Sequence, residues 1–195
     1  MDQTWTRSLL ERGNEYIERN EPEKAREQFQ AVLKEHPDNA AALDGLGWTY
    51  YMQKNPEKAK ELLERAIHCD PDWAEAYTDL GCVMHSLGEL GEAERLHRAS
   101  IRKDDTRHDA YFNLGMLYHD AGRYEDATDA LQSACSRDSA HAGSLHLLGE
   151  VFLARDEYVN AAAALRKAHA LDPDNFETEV LLTTAELEAH RANDE

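Results

Sequence analysis

Cysteine is scarce in this chain. Only three occur in 195 residues, Cys69, Cys82 and Cys135, and none stands in a CxxC or comparable pair. A disulfide scaffold is thereby excluded, and an odd, sparse count fits a reducing compartment, so the cytoplasm is the expected location. No apolar run approaches the roughly 20 residues that a membrane span requires. Residues 1–20 are polar and charged, with neither an apolar h-region nor a small-residue cleavage site, so no secretory signal is expected. Positive charge is also in short supply: 21 Lys and Arg face 39 Asp and Glu, a net charge of −18. Nucleic acid and anionic membrane surfaces both demand cationic patches, so neither is an expected partner. The same excess favours a basic or neutral partner, although acidity alone also maintains solubility.

Catalytic signatures are missing as well. There is no glycine-rich phosphate loop and no Ser/His/Asp or Cys/His triad signature. Carboxylate pairs are many, but they fall at solvent-facing helical positions without an enclosed cleft. Ten histidines invite a metal hypothesis. Cys82, His85, His119 and Asp120 form a conceivable zinc set, since His85 and His119 are one sequence period apart. No compact ligand motif supports it. Neither an enzyme activity nor a cofactor or metal is expected.

What the chain does have is a period. Gly13, Gly47, Gly81, Gly115 and Gly149 are each separated by 34 residues. Ala25, Ala59, Ala93, Ala127 and Ala161 keep the same register, as do Tyr16, Tyr50, Met84, Tyr118 and Phe152. A fixed period of this length marks a stacked-helix array whose units bury apolar faces against their neighbours. Five units tile the chain at 6–39, 40–73, 74–107, 108–141 and 142–175. A capping helix is expected at 176–190, in a single domain spanning 1–190, with a frayed tail at 191–195.

Each unit reads as two helices. In the second, Leu43, Leu46 and Tyr50 recur at helical spacing. Asn55-Pro56-Glu57 then restarts the chain with a capping residue, a first-turn proline and a carboxylate at the positive helix end. Gly88 and Gly122 stand at the equivalent turns of the third and fourth units, where a left-handed residue ends a helix at low cost. Gly47, Ala59 and Ala66 are small because the paired helices approach closely there. Val180, Leu181 and Leu187 are expected to cover the end of the fifth unit.

Leu46-Gly47, Tyr50, Ala59, Leu63, Ala66 and Pro71 resemble the tetratricopeptide repeat. So do Gly13, Tyr16, Ala25, Phe29 and Pro37, and Leu148-Gly149, Phe152, Ala161, Leu165, Ala168 and Pro173. The resemblance covers nearly the whole chain. It implies an all-α fold, a right-handed α-solenoid of antiparallel helix pairs, in which first helices line a concave groove. Carried onto this sequence, the groove positions are Asn14, Asp44, Trp48, Tyr51, Met52, Asp79, Cys82, His85, Phe112, Met116, His119, His146 and Glu150.

The implied function is a scaffold or adaptor that binds a basic or amphipathic peptide segment of another protein. A self-associating assembly subunit, joined weakly through Trp5 and the terminal helix, is the alternative to a monomer. A non-catalytic regulatory module of a larger complex is a third reading. The family's clamp for C-terminal carboxylates would need Lys and Asn on the first unit, Asn on the second, and Lys and Arg on the third. The matching positions are Leu10, Asn14, Gly45, Glu75 and Asp79, and only Asn14 fits.

Departures from the pattern also carry expectations. Arg12 replaces the usual Leu before Gly13, as an exposed end unit tolerates. His97 stands where a large apolar residue is usual and is read as partly exposed in the core. Ser100 replaces Ala. The third unit is therefore expected to be the least stable, so residues 89–104 should exchange amide hydrogens faster than the matching segments elsewhere. Finding 89–104 the best protected segment would contradict this.

Overall fold

The computed structural model describes residues 3–194. Its helices are α1 Gln3–Glu18, α2 Pro22–Glu35, α3 Ala40–Met52, α4 Pro56–Cys69, α5 Ala74–Ser86, α6 Leu90–Lys103, α7 His108–Asp120, α8 Tyr124–Arg137, α9 Ala142–Ala154, α10 Tyr158–Leu171 and α11 Phe176–Asp194. The fold is all-α, and odd and even helices pair as the sequence period implies. The chain gathers into two compact units, which divide between Asp105 and Thr106. The 34-residue register runs unbroken through that division, from Gly81 to Gly115.

Every intra-pair turn is built the same way. Asn20, Lys54, Gly88, Gly122 and Asp156 all adopt positive φ, between 55° and 79°. These five are one period apart. The residue after each donates its N–H back to the carbonyl of Tyr16, Tyr50, Met84, Tyr118 or Phe152, at 2.8–3.0 Å. The left-handed residue itself donates to the next carbonyl of the preceding turn. This Schellman arrangement satisfies orphan carbonyls of each first helix, and the second helix starts two positions after the left-handed residue. Asn55 then caps α4, its side chain accepting from Lys58 N–H at 3.2 Å, with Pro56 in the first turn.

The packing between paired helices rests on one repeated seat. A Cβ placed on Gly13 would lie 2.6 Å from the Phe29 ring, on Gly47 2.8 Å from Leu63, and on Gly81 2.5 Å from His97. On Gly115 it would lie 2.6 Å from Leu131, and on Gly149 2.4 Å from Leu165. In each case a bulky side chain, always 16 positions on, fills the space the glycine leaves. Phe29, Leu63, His97, Leu131 and Leu165 are all fully buried.

In unit 1, α1 to α6, Phe29 anchors a core with Val32, Leu43, Leu46 and Leu62, flanked by Tyr16, Tyr50 and Trp73. His97 is completely buried rather than partly exposed, because it fills the glycine seat. The Ser100 hydroxyl is accommodated: it lies 2.7 Å from the Thr78 hydroxyl and donates to the Ala74 carbonyl at 2.9 Å. A buried polar pair satisfied in this way escapes most of the burial cost.

In unit 2, α7 to α11, the last helix differs from its expectation in two ways. It runs past His190 to Asp194, while Glu195 lies outside the described residues. It also turns a different face inward: Ala185 is buried and Leu181 and Leu182 are half-buried, whereas Val180 and Leu187 are 45% and 52% exposed. The i, i+4 geometry of a helix puts Leu181 and Ala185 on one stripe and Val180 and Leu187 off it.

The glycine seat generates a paired prediction. Gly115→Ala forces Leu131 to move and should destabilise the chain by about 1–3 kcal/mol. Gly91→Ala, with nothing within 4 Å of the added Cβ, should be neutral or stabilising by up to about 1 kcal/mol. Chemical denaturation of the two variants reads both values.

Candidate functional site: the first-helix faces

Within each unit the first helices touch one another: α1 with α3 and α3 with α5, then α7 with α9 and α9 with α11. Among the described residues no two even-numbered helices touch in this way. The wall of odd helices is therefore the tighter, concave side of each unit, and side chains there converge.

On the unit 1 face, Trp48 and Tyr51 sit one turn apart on α3 with ring centroids 5.0 Å apart and planes tilted by 38°. Both are half-buried, as is Met52. Burial pushes the Tyr51 hydroxyl above its ordinary pKa, and neighbouring Cys82 adds to the rise while Ser86 opposes it. Tyr51 thus bridges from α3 to α5, where Asp79, Cys82 and His85 are half-buried. Asn14 is exposed on α1. Trp48 and Tyr51 are thus the aromatic part of this set, with Cys82 beside Tyr51 on the neighbouring first helix.

Asp44 does not belong to that face. It is only 5% exposed, and its Oδ2 accepts from Trp73 Nε1 at 3.0 Å. Trp73 precedes α5 and packs on the unit 1 core, so Asp44 ties one repeat to the next instead of meeting a ligand. Gly45 closes another position. A Cβ there would lie 2.4 Å from Phe29, so the Asn that the carboxylate clamp requires has no room.

On the unit 2 face, Phe112 and Met116 are half-buried on α7. The Phe112 ring meets His141 edge-on, centroids 5.1 Å apart, and His108 lies 4.9 Å from the same imidazole. His119 Nδ1 is 3.2 Å from the Asp120 carboxylate. Cys82 and His85 belong to α5 of unit 1, and His119 and Asp120 follow on α7 of unit 2. On α9, His146 and Glu150 are neighbours, Nε2 to Oε2 3.8 Å.

Sequence reasoning passed over two features of this face. His141 caps α9, Nδ1 accepting from Ser144 N–H at 3.1 Å and lying 2.7 Å from its hydroxyl. Asn39 and Asn175 hold the same phase and do the same for α3 and α11. That shared phase was the available signal. Glu177, exposed at the start of α11, approaches His146 and Glu150, with one ligand atom from each within 4.8 Å of the others.

Three family models match the chain, each described as tetratricopeptide repeat, over residues 16–80, 73–103 and 108–141. No curated protein matches the sequence. Among solved structures, MamA is 25% identical over 83% of this chain and 95% of its own, with a TM-score of 0.68. TTC0263, a thermophilic TPR protein in Thermus thermophilus, is 20% identical over 93% and 99%, with a TM-score of 0.80. YrrB, described as a TPR protein with an unusual peptide-binding site, is 21% identical over 87% and 88%, with a TM-score of 0.62. No helix among the described residues is long and apolar enough to cross a membrane.

The His141 cap makes stability depend on pH. Burial first, then the neighbouring His108, holds its pKa below the ordinary 6.5, with Asp138 and Asp109 opposing. Above pH 6.5 the imidazole is neutral in folded and unfolded chains alike, and the cap is intact. Below it the unfolded chain takes up a proton that the folded one resists, so stability falls as pH drops from 6.5 toward the folded value. His141→Asn keeps a capping acceptor without the titration. Denaturation midpoints between pH 5 and 8 should fall less steeply toward acid in His141→Asn than in the native chain.

Proposed function

Because this chain belongs to the tetratricopeptide repeat family, we propose that it is a protein-interaction scaffold whose first helices bind a basic or amphipathic segment of another protein. The observation that carries the reading is the half-buried Trp48–Tyr51 pair on α3, with half-buried Asp79 on the neighbouring first helix α5. Aromatic and Met side chains are enriched at the cores of interfaces. A segment that removes about 100 Å² of apolar surface from one such ring gains roughly 2.5 kcal/mol gross. Two or three anchors, less ordering costs, give affinity in the micromolar class. Phe112 and Met116 offer the corresponding anchors on unit 2. Glu75, Asp79 and Glu150 would steer a cationic segment and select its register more than they would add affinity.

The reading is of a module without chemistry of its own, in a reducing compartment where Cys69, Cys82 and Cys135 would remain thiols. A second reading, self-association through the array end, has its own support. Phe176, Val180 and Leu187 leave α11 73%, 45% and 52% exposed, an apolar stripe of the kind that a further helix would cover. Light scattering across a concentration range separates the two, since only self-association grows with concentration.

The direct test uses a set of synthetic basic amphipathic peptides and matched acidic ones. Basic peptides should bind with micromolar affinity, weaken as salt rises, and lose about tenfold or more in Trp48→Ala. Equal binding of acidic peptides, or binding unchanged in both Trp48→Ala and Phe112→Ala, would overturn the proposal.

A further inference from the structure

We propose that His146, Glu150 and Glu177 form a site for a divalent transition-metal ion, with Zn²⁺ as the fitting chemistry. His146 and Glu150 lie four residues apart on α9, hence on one helical face, with Nε2 3.8 Å from Oε2. Glu177 enters from the first turn of α11. One ligand atom from each residue lies within 4.8 Å of the other two. An ion at about 2.0–2.2 Å from each ligand atom needs those atoms no more than about 4.4 Å apart. Tetrahedral binding brings them to about 3.4 Å, so the site requires the exposed Glu177 side chain to close on the ion.

The imidazole is held for ligation by a group outside the set. His146 Nδ1 lies 2.8 Å from Thr178 Oγ1, and Thr178 is only 2% exposed. With Nδ1–H donated to that hydroxyl, the lone pair sits on Nε2, the atom that lies 3.8 Å from the Glu150 carboxylate. Metal-bound histidines are oriented by this kind of second hydrogen bond. The constellation is also not a by-product of the repeat. The corresponding positions one period earlier are Phe112, Met116 and Gly143, and three periods earlier Asp44, Trp48 and Glu75. Only the last interval places an imidazole and two carboxylates together.

Two carboxylates and one neutral imidazole suit a borderline ion better than a hard one, which prefers oxygen alone. Three protein ligands leave a position for water, and a chain of net charge −18 favours the cation's approach. The ion would pin the terminal helix to the fifth repeat and would occupy His146 and Glu150, two of the first-helix positions proposed above to face a peptide.

Native mass spectrometry and thermal unfolding of the full chain test the site, with Zn²⁺ as the probe and excess Mg²⁺ as the ionic control. One Zn²⁺ should survive desalting in the presence of Mg²⁺ and raise the unfolding midpoint. His146→Ala should lose both effects. Glu177→Gln, a change at an exposed position, should fold normally and lose both as well, which separates ligation from a folding defect. Zn²⁺ retained equally by the two variants, or displaced by Mg²⁺, would overturn the proposal.

Discussion

A glycine on each first helix and a bulky side chain 16 positions later on its partner set how closely every helix pair approaches. Phe29, Leu63, His97, Leu131 and Leu165 occupy the same seat, and in each a glycine Cβ would collide within 2.8 Å. The close approach goes with a Schellman turn that hands the chain from one helix to the next across three residues. Interiors are packed densely enough that one added methyl is felt. The seat therefore constrains all five repeats, and it tolerates even histidine provided that the ring fills the volume.

Holding the pairs at fixed spacing also fixes what the first helices present. Residues at the glycine phase are consumed by packing. Those one residue after it, Asn14, Trp48, Cys82, Met116 and Glu150, vary from repeat to repeat, and each lies on a first helix, half-buried except for exposed Asn14. The result is a chain whose invariant phases build structure and whose variable phases are, in the proposed function, those that meet a partner. On unit 1 this phase holds an amide, an indole and a thiol; on unit 2 it holds a thioether and a carboxylate. The opposite wall, of even helices, carries mainly exposed ion pairs such as Lys58–Glu61 and Arg95–Glu92, which contribute little each to stability.

Much of this was legible in the sequence because the period is a packing period. The helix pairs, the Asn55 cap, the left-handed Gly88 and Gly122, and the close approach at Gly47 all follow from local chemistry repeated in phase. What escaped depended on a side chain reaching from another element. Asp44 has a groove phase, but Trp73 reaches back from the next repeat and buries it. Glu177 lies on a helix read only as a cap, although its phase matches Glu75 and Asp109. Val180 and Leu187 looked like core because they are apolar, yet a terminal helix has only one packed side, and Leu181 and Ala185 occupy it. His97 looked polar enough to reach solvent, but the seat left by Gly81 lies inside.

The central claim is that ligand recognition lies on the odd-helix wall, at the variable phases. Amide and indole NMR shifts, followed as a basic amphipathic peptide is titrated in, test it most directly. The largest shifts should fall on the Trp48 indole and on α3 and α5, with the even helices α2, α4 and α6 nearly unmoved. Shifts concentrated on the even helices, with the Trp48 indole unchanged, would contradict the account.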